Sequence, residues 1–381
     1  MPLFTPTRVI DTSVSPDTIV RIVTMQQAGL DYATLSHCWG SSHIFQLTSS
    51  NKATLESSGV LIEDLPTTFR QAIQVVRFLG IRYLWIDSLC IIQDSAVDWK
   101  TESSVMGKIY QHGRINIAAS SSANSTGGLF FDRNPTLVKP FALYYHKDPH
   151  WYIFSRQVDV DLAREPLNSR GWVFQERLLS RRTIHFTKHE IVWHCLECEA
   201  SSDDFICRLT EEDEYYRHDG FDDYSDIRPY IWLLTRRKEI DEEVMDKTRS
   251  KLHDCWPELV RHYSACQLTR DQDKVAAILG LINQLEGPMQ DSCLAGLWRS
   301  YMPGNLLWIN QRERDSGISP PNIDAQERAV QLIAPTWSWM SLNARANLRF
   351  MQWEKDMKRY MWETQSDSHG KNKDLCNIVG L

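Results

Sequence analysis

Between residues 30 and 120, short apolar runs alternate with stretches of helical period. Tyr32-Ala33-Thr34-Leu35-Ser36-His37-Cys38 reads as a buried strand ending in a turn at Trp39-Gly40. Leu65-Pro66-Thr67-Thr68-Phe69 opens a helix, with Pro66 suited to the first turn. Phe69, Ala72, Ile73, Val76 and Leu79 recur at helical spacing, and Gly80 stops the run. Arg82-Tyr83-Leu84-Trp85-Ile86-Asp87, an apolar run closed by an acid, has the pattern of a buried parallel strand. A second helix is expected through Val105, Met106, Ile109 and Tyr110, capped by Asp98. Arg114 to Ser120 supplies a third strand. The order strand–helix–strand–helix–strand implies right-handed crossovers and a parallel sheet. Residues 1–30, polar and rich in Thr and Val, are read as a leading strand and a turn.

The pattern then changes. Ser121 to Gly128 is a loop of Ser, Asn and Gly, and residues 129–168 read as a β-rich insertion. Its aromatic runs are Phe141-Ala142-Leu143-Tyr144-Tyr145 and Trp151-Tyr152-Ile153-Phe154. In Arg170-Gly171-Trp172-Val173-Phe174-Gln175-Glu176-Arg177-Leu178-Leu179-Ser180, Trp172, Leu178 and Leu179 form an apolar helical face. Glu176 follows Trp172 by one turn. Arg170, Arg177, Arg181 and Arg182 surround the acid with positive charge. By residue type this is either a surface helix whose glutamate pairs with arginines or a helix carrying a working carboxylate. Thr183 to Phe186 and Glu190 to Cys195 read as a hairpin. Residues 200–255 are strongly charged, including Glu211-Glu212-Asp213-Glu214, and mark a surface excursion or a boundary. From Trp256 the chain turns helical and Trp-rich, and the polar tail after Asn343 is expected to be helical, then frayed.

Ligands of an open parallel sheet bind outside the carboxyl ends of its strands. Those ends carry Ser36/His37/Cys38, Asp87/Ser88 and Ser120/Ser121, three polar clusters expected on one edge. The alternative is that Ser36, Asp87 and Ser120 only cap turns and helices.

Composition narrows the classes. Among 381 residues, 42% are hydrophobic and 24% charged, as in a globular protein in water. Fourteen tryptophans point to extensive packing. A net charge of −7, without a dense basic run, argues against general nucleic-acid binding. No apolar stretch approaches the ~20 residues of a membrane span, and the N-terminus lacks a secretory pattern. Nine cysteines without framework spacing indicate reduced thiols in a cytosolic or nuclear setting, and a cytoplasmic location is expected. His194, Cys195, Cys198 and Cys207 contain one Cys-x-x-Cys pair without a matching second pair, so buried thiols are expected rather than a metal site. No acid or histidine partner set is evident for Cys38 or Cys90 as nucleophiles, although His37 is adjacent to Cys38. No Gly-x-Ser-x-Gly elbow and no glycine-rich dinucleotide fingerprint occurs.

Three stretches together resemble the fungal heterokaryon incompatibility (HET) domain: Tyr32 to Gly40, Tyr83 to Gln93 and Arg170 to Ser180. Leu65-Pro66 with its helix and the run Met106 to Ser120 resemble it too. The C-terminal half is similar to the region that often follows this domain, at Leu268-Thr269 with Asp273-Lys274, Gly296-Leu297-Trp298, Leu306-Leu307-Trp308 and Ala334 to Trp339. His37 stands where an aromatic is common and Arg181 where proline is common. More distantly the family resembles TIR domains, with a flavodoxin-like sheet and a Ser-x-Trp-Cys-x-x-Glu stretch whose glutamate cleaves NAD. Here Ser169, Trp172 and Glu176 keep the Trp-to-Glu step; the Ser-to-Trp gap is one residue longer and no cysteine follows Trp172.

The resemblance implies an α/β fold with a flavodoxin/TIR-like parallel sheet flanked by helices, a β-rich insertion and a mainly helical C-terminal region. The corresponding divisions are a lead-in at 1–29, the HET domain at 30–200 with its insertion at about 129–168, the C-terminal region at 201–343 and a polar tail at 344–381. It implies an effector of allorecognition and programmed cell death that hydrolyses NAD+ to nicotinamide and an ADP-ribose product, as substrate rather than cofactor. Glu176 would be catalytic, and Ser36, Trp39, Asp87, Arg170 and Trp172 would bind substrate. Self-association would gate activity, and the alternative is a non-catalytic, self-associating signalling module.

Overall fold

A computed structural model describes residues 4–26, 29–40, 45–133, 141–142, 152–153, 161–202, 208–209, 227–236, 241–268, 273–310, 334–342 and 348–350. The chain opens with β1 (Arg8–Asp11), β2 (Ile19–Thr24), β3 (Tyr32–Ser36), α1 (Lys52–Ser57), β4 (Val60–Leu61) and α2 (Thr67–Phe78). It continues through β5 (Tyr83–Ile86), α3 (Asp87–Cys90), α4 (Ala96–His112) and β6 (Ile115–Ala118), then the small β7 (Phe141–Ala142) and β8 (Tyr152–Ile153). After α5 (Gly171–Leu179) come β9 (Arg182–Phe186), β10 (Ile191–Cys195), β11 (Cys198–Ser201) and β12 (Arg208–Leu209). The C-terminal part holds α6 (Arg228–Arg236), α7 (Glu242–Ala265), α8 (Asp273–Met289), β13 (Cys293–Leu294), β14 (Leu297–Trp298), α9 (Met302–Asn305), β15 (Trp308–Asn310) and β16 (Leu348–Phe350).

Ten strands form one mixed sheet in the order β12-β11-β10-β9-β6-β3-β5-β1-β2-β4. The inner group β9-β6-β3-β5 is parallel, with Leu35 of β3 opposite Ile86 on one side and Ile117 on the other. The three strands expected to be parallel are so. Both flanks are antiparallel, β1-β2-β4 beside β5 and β10-β11-β12 beside β9. Short turns join β9 to β10 and β10 to β11, while β1–β5 and β2–β4 pair across long intervening segments.

Alternation along β3 separates the two faces of the sheet. The Tyr32 hydroxyl donates to the Ile109 carbonyl of α4 at 2.7 Å, and Ser36, on the same face, reaches α5. Continuing the other face, His37 meets Phe69 of α2 edge-on, ring centres 4.9 Å apart. Phe69, Ala72, Ile73 and Val76 are buried as the helical period required, while Leu79 is exposed as the C-cap and Gly80 turns the chain at φ +68°.

A second core joins α5 to the C-terminal helices through Phe174, Leu178, Leu179, Trp256, Leu259, Ile278, Leu281, Trp298 and Trp339. Trp172 borders both cores. Trp256 and Trp339 both donate their indole N–H to the Gly296 carbonyl, at 2.9 and 3.2 Å. A Cβ on Gly107 of α4 would press on Leu179 and the Gly280 backbone, and one on Gly280 of α8 would overlap the Gln175 amide. These glycines let α4 and α8 close on α5.

Several sequence expectations need correction. Asp98 does not cap α4: Ser95 does, accepting from the Asp98 N–H, while the Asp98 carboxylate accepts from Arg8 at 2.5 Å and from the Ile92 N–H. Helix begins well before Trp256. Asp241 caps α7, and Met245, Thr248, Arg249, Leu252 and Cys255 bury one face of its first half, a stripe hidden among charges in the sequence. Leu348–Phe350 is a strand against β15, not helix, because Trp308 to Asn310 offer it an edge. In the insertion Phe141–Ala142 pairs with Tyr152–Ile153; the rest of its aromatic runs, Glu211 to Glu214, and the tail beyond residue 350 lie outside the described residues. Among the described residues, no helix is long and apolar enough to cross a membrane.

Gly280→Val is expected to cost about 1–3 kcal/mol by forcing α8 away from α5. Gly287→Ala, where a Cβ meets nothing within 4 Å, should be neutral or stabilising by up to ~1 kcal/mol. Urea unfolding of both variants measures the difference.

Candidate active site

α5 is short but buried nearly all round; only Trp172 is partly exposed. It begins at Gly171 because the chain there runs against Gln267. Gly171 N–H donates to the Gln267 carbonyl at 2.8 Å, and a Cβ would sit 2.5 Å from Leu268 Cδ2. From this anchor the helix carries Glu176 to the end of β3. The Ser36 hydroxyl donates to Glu176 Oε2 at 2.5 Å, and Asn116 Nδ2 donates to Ser36 Oγ at 3.0 Å. Thr34 Oγ1 donates to Asn116 Oδ1 at 2.9 Å, fixing the amide. The Tyr110 hydroxyl faces the same carboxylate.

Glu176 is 3% exposed, so the surface helix with an arginine-paired glutamate is not what forms. Burial pushes its pKa up to about 7; the Ser36 hydrogen bond and the Arg170 charge oppose this, and Asp87 adds to it. The group therefore changes charge near neutral pH.

The second pair stands at the end of β5. Trp39 Nε1 donates to Asp87 Oδ2 at 2.8 Å, while the Ser88 N–H donates to Asp87 Oδ1 at 2.7 Å. His37 lies 3.7 Å from Asp87, yet neither ring nitrogen makes a hydrogen bond. Burial lowers its pKa to about 4, against the pull of Asp87, which leaves it a neutral, buried ring at pH 7. The Arg170 guanidinium donates to the His37 carbonyl and ties the start of α5 to the β3 turn. That turn needs Gly40: φ is +76°, and a Cβ would lie 2.5 Å from Asn124 Cβ.

A cleft of about 820 Å³ opens over these strand ends. Trp39, Asp87, Trp99, Arg170, Trp172 and Asp273 line it. The Trp172 indole N–H reaches Asp273 Oδ2 at 3.3 Å, and Trp99 packs edge-on against Trp172 with ring centres 6.1 Å apart. Of the six residues singled out in sequence, Trp39, Asp87, Arg170 and Trp172 share the cleft. Ser36 and Glu176 do not line it; Cys38 does, and its thiol feels the Glu176 charge. Ser120 and Ser121 face elsewhere, Ser120 against His185 at 3.1 Å and Ser121 donating to Glu165 at 2.5 Å. Asn116, Trp99 and Asp273 are not among those six, although Asp273 belongs to a stretch that carries the C-terminal resemblance. Asn116 had a signal, as a polar residue within an apolar strand. Nothing in the local pattern reveals that Asp273 crosses to Trp172.

Among the described residues, no group of three or more His, Cys, Asp or Glu is placed to hold a metal ion. Cys195 and Cys198 are adjacent, and Cys207 lies outside the described residues.

Residues 32–176, from the first residue of β3 to Glu176 itself, match the family model described as heterokaryon incompatibility protein (HET). This segment is a HET domain. The match supports a role in heterokaryon incompatibility. No curated protein and no solved structure matches the chain. The last parallel strand of the sheet, β9, follows the matched segment of the HET domain.

Between the ordinary glutamate value of 4.5 and about 7, the folded HET domain keeps a proton on Glu176 that the unfolded chain has released. Its stability should therefore fall as pH rises through that window, by on the order of 3 kcal/mol from this group. Glu176→Gln should flatten that part of the profile in denaturant titrations; an unchanged slope would contradict the assignment.

Proposed function

We propose that this HET domain hydrolyses the bond between nicotinamide and ribose in NAD+, releasing nicotinamide and an ADP-ribose product, as an effector of fungal allorecognition and cell death. The observation carrying this reading is the Glu176–Ser36 pair, set one helical turn behind Trp172 and a cleft walled by indoles. The order of the inner strands, second-first-third-fourth along the chain, is that of flavodoxin-like sheets and supports the kinship with TIR domains. In that order the crevice opens between β3 and β6, where Ser36 and Asn116 meet.

The chemistry asks little of a general acid. Nicotinamide leaves as a neutral amide when the C1′–N bond breaks, because the electron pair returns to its cationic ring. Ribose then carries oxocarbenium character, which an ionised Glu176 stabilises. Water adds to C1′ and yields its proton to that carboxylate. Trp39, Trp99 and Trp172 offer flat faces for the cationic ring or the adenine. Arg170 attracts the pyrophosphate, and Asp87, held by Trp39, accepts from ribose hydroxyls. Ser36 and Glu176 do not line the cleft, so contact between substrate and Glu176 requires the cleft to open toward this pair.

That same enclosure favours a second reading. A carboxylate 3% exposed and satisfied by Ser36 suits a signalling module that self-associates without turnover. Nicotinamide release by the purified chain separates the two. The enzyme reading expects Glu176→Gln, folded by circular dichroism, to lose at least about 100-fold in rate, with wild-type turnover rising through pH 7 as Glu176 ionises. Asp87→Asn should chiefly raise KM. No turnover by the folded wild type, even at concentrations that drive assembly, would favour the module.

A further inference from the structure

The proposed NAD+ chemistry leaves the Cys-x-x-Cys pair at the far flank of the sheet unused. Cys195 ends β10 and Cys198 begins β11, so they flank the two-residue turn Leu196-Glu197. The ladder pairs Val192 with Ser201, Trp193 with Ala200 and His194 with Glu199, which sets the cysteines directly opposite each other. Their sulfurs are 3.7 Å apart, and both residues are half-buried. The turn also aims two backbone donors at one sulfur: the N–H groups of Glu197 and Cys198 reach Cys195 Sγ at 3.4 and 3.2 Å. Donors so placed stabilise a thiolate.

We infer that Cys195 and Cys198 form a redox-active dithiol that exchanges with low-molecular-weight disulfides and closes to a disulfide across the hairpin turn. Cys195, whose sulfur accepts both of these N–H groups, is assigned as the attacking sulfur. Its thiolate attacks one sulfur of a small disulfide such as oxidised glutathione, forms a mixed disulfide and expels one thiolate. Cys198, losing its proton to solvent, then attacks Cys195 Sγ and expels the second thiolate. The two protein thiols give up two electrons and two protons, and one small disulfide becomes two thiols. Closure from 3.7 Å to the ~2.05 Å of an S–S bond needs side-chain rotation on an existing cross-strand pair rather than a change of fold.

Four other cysteines of the described residues make the contrast. Cys38, Cys90 and Cys255 are buried, and burial pushes the Cys90 and Cys293 thiols up to about 12. At Cys195 burial acts in the same sense, but the two N–H donors, with Trp193 and Cys198, outweigh it and the thiol is lowered. A separation of 3.7 Å also suits one edge of a tetrahedral zinc–thiolate site, with Zn–S near ~2.3 Å. That site calls for further ligands, and Cys207 lies outside the described residues, so the test below separates the two. A disulfide needs only these two.

The test uses the full chain, reduced and then equilibrated without oxygen in graded glutathione/glutathione-disulfide buffers. Acid quenching, alkylation and peptide fragmentation locate each modified cysteine. The expected result is a Cys195–Cys198 disulfide that grows with the oxidised fraction ahead of every other pair. Cys195 should be alkylated roughly tenfold faster than Cys198 at neutral pH. Cys198→Ser should stop at a glutathione adduct on Cys195. The inference is overturned if the wild-type chain forms no such disulfide. It is equally overturned if Cys198 in Cys195→Ser takes the adduct as fast, or if the chain carries stoichiometric zinc that shields both thiols until a chelator is added.

Discussion

The hydrogen bond from Ser36 to Glu176 is the contact on which the arrangement of this domain depends. A carboxylate brought to 3% exposure must find donors or keep its proton, and here it does some of each. Ser36 is oriented by Asn116, which is oriented by Thr34, so the polar chain runs across β3 and β6. The carboxylate arrives from the other direction on α5, whose start is fixed by Gln267 and whose flank is fixed by α4 and α8 through Gly107 and Gly280. The pair is thus held by residues from both halves of the chain. The C-terminal helices complete the frame in which Glu176 can be buried at all.

Burial gives the carboxylate its interest and also limits it. Trp39, Asp87, Arg170 and Trp172 line one cleft, two indoles with an acid and a guanidinium. Glu176 stands outside that lining, at a pKa where a small change in surroundings changes its charge. A cation entering the cleft would favour the ionised form, and dry enclosure favours the neutral one. This makes the protonation state of Glu176 a sensitive report on what occupies the cleft.

Much of the frame could be read from the chain. β3, β5, β6 and α2 declare themselves because their apolar periods are clean and their ends carry Gly or Pro. The hairpin of β9 and β10 is equally plain. What escaped detection depends on distant partners. Asp273 finds Trp172 only after a second core has formed. The first half of α7 hides its buried stripe under a high density of Glu, Lys and Arg, and Asp98 looks like a cap while serving Arg8 instead. Glu176 was singled out by its neighbours in sequence, but glutamate by type is a surface residue, so its burial could not be anticipated. The division between cleft-lining residues and a carboxylate outside the lining exists only in three dimensions.

Carbon-13 detected titration of the glutamate carboxyls, with Glu176 assigned by its absence in Glu176→Gln, addresses this account most directly. A carboxyl with a pKa near 7 in the free protein, moving downward when NAD+ is added, is the expected result. A Glu176 resonance titrating at the ordinary 4.5 and indifferent to NAD+ would contradict both its burial and its link to the cleft.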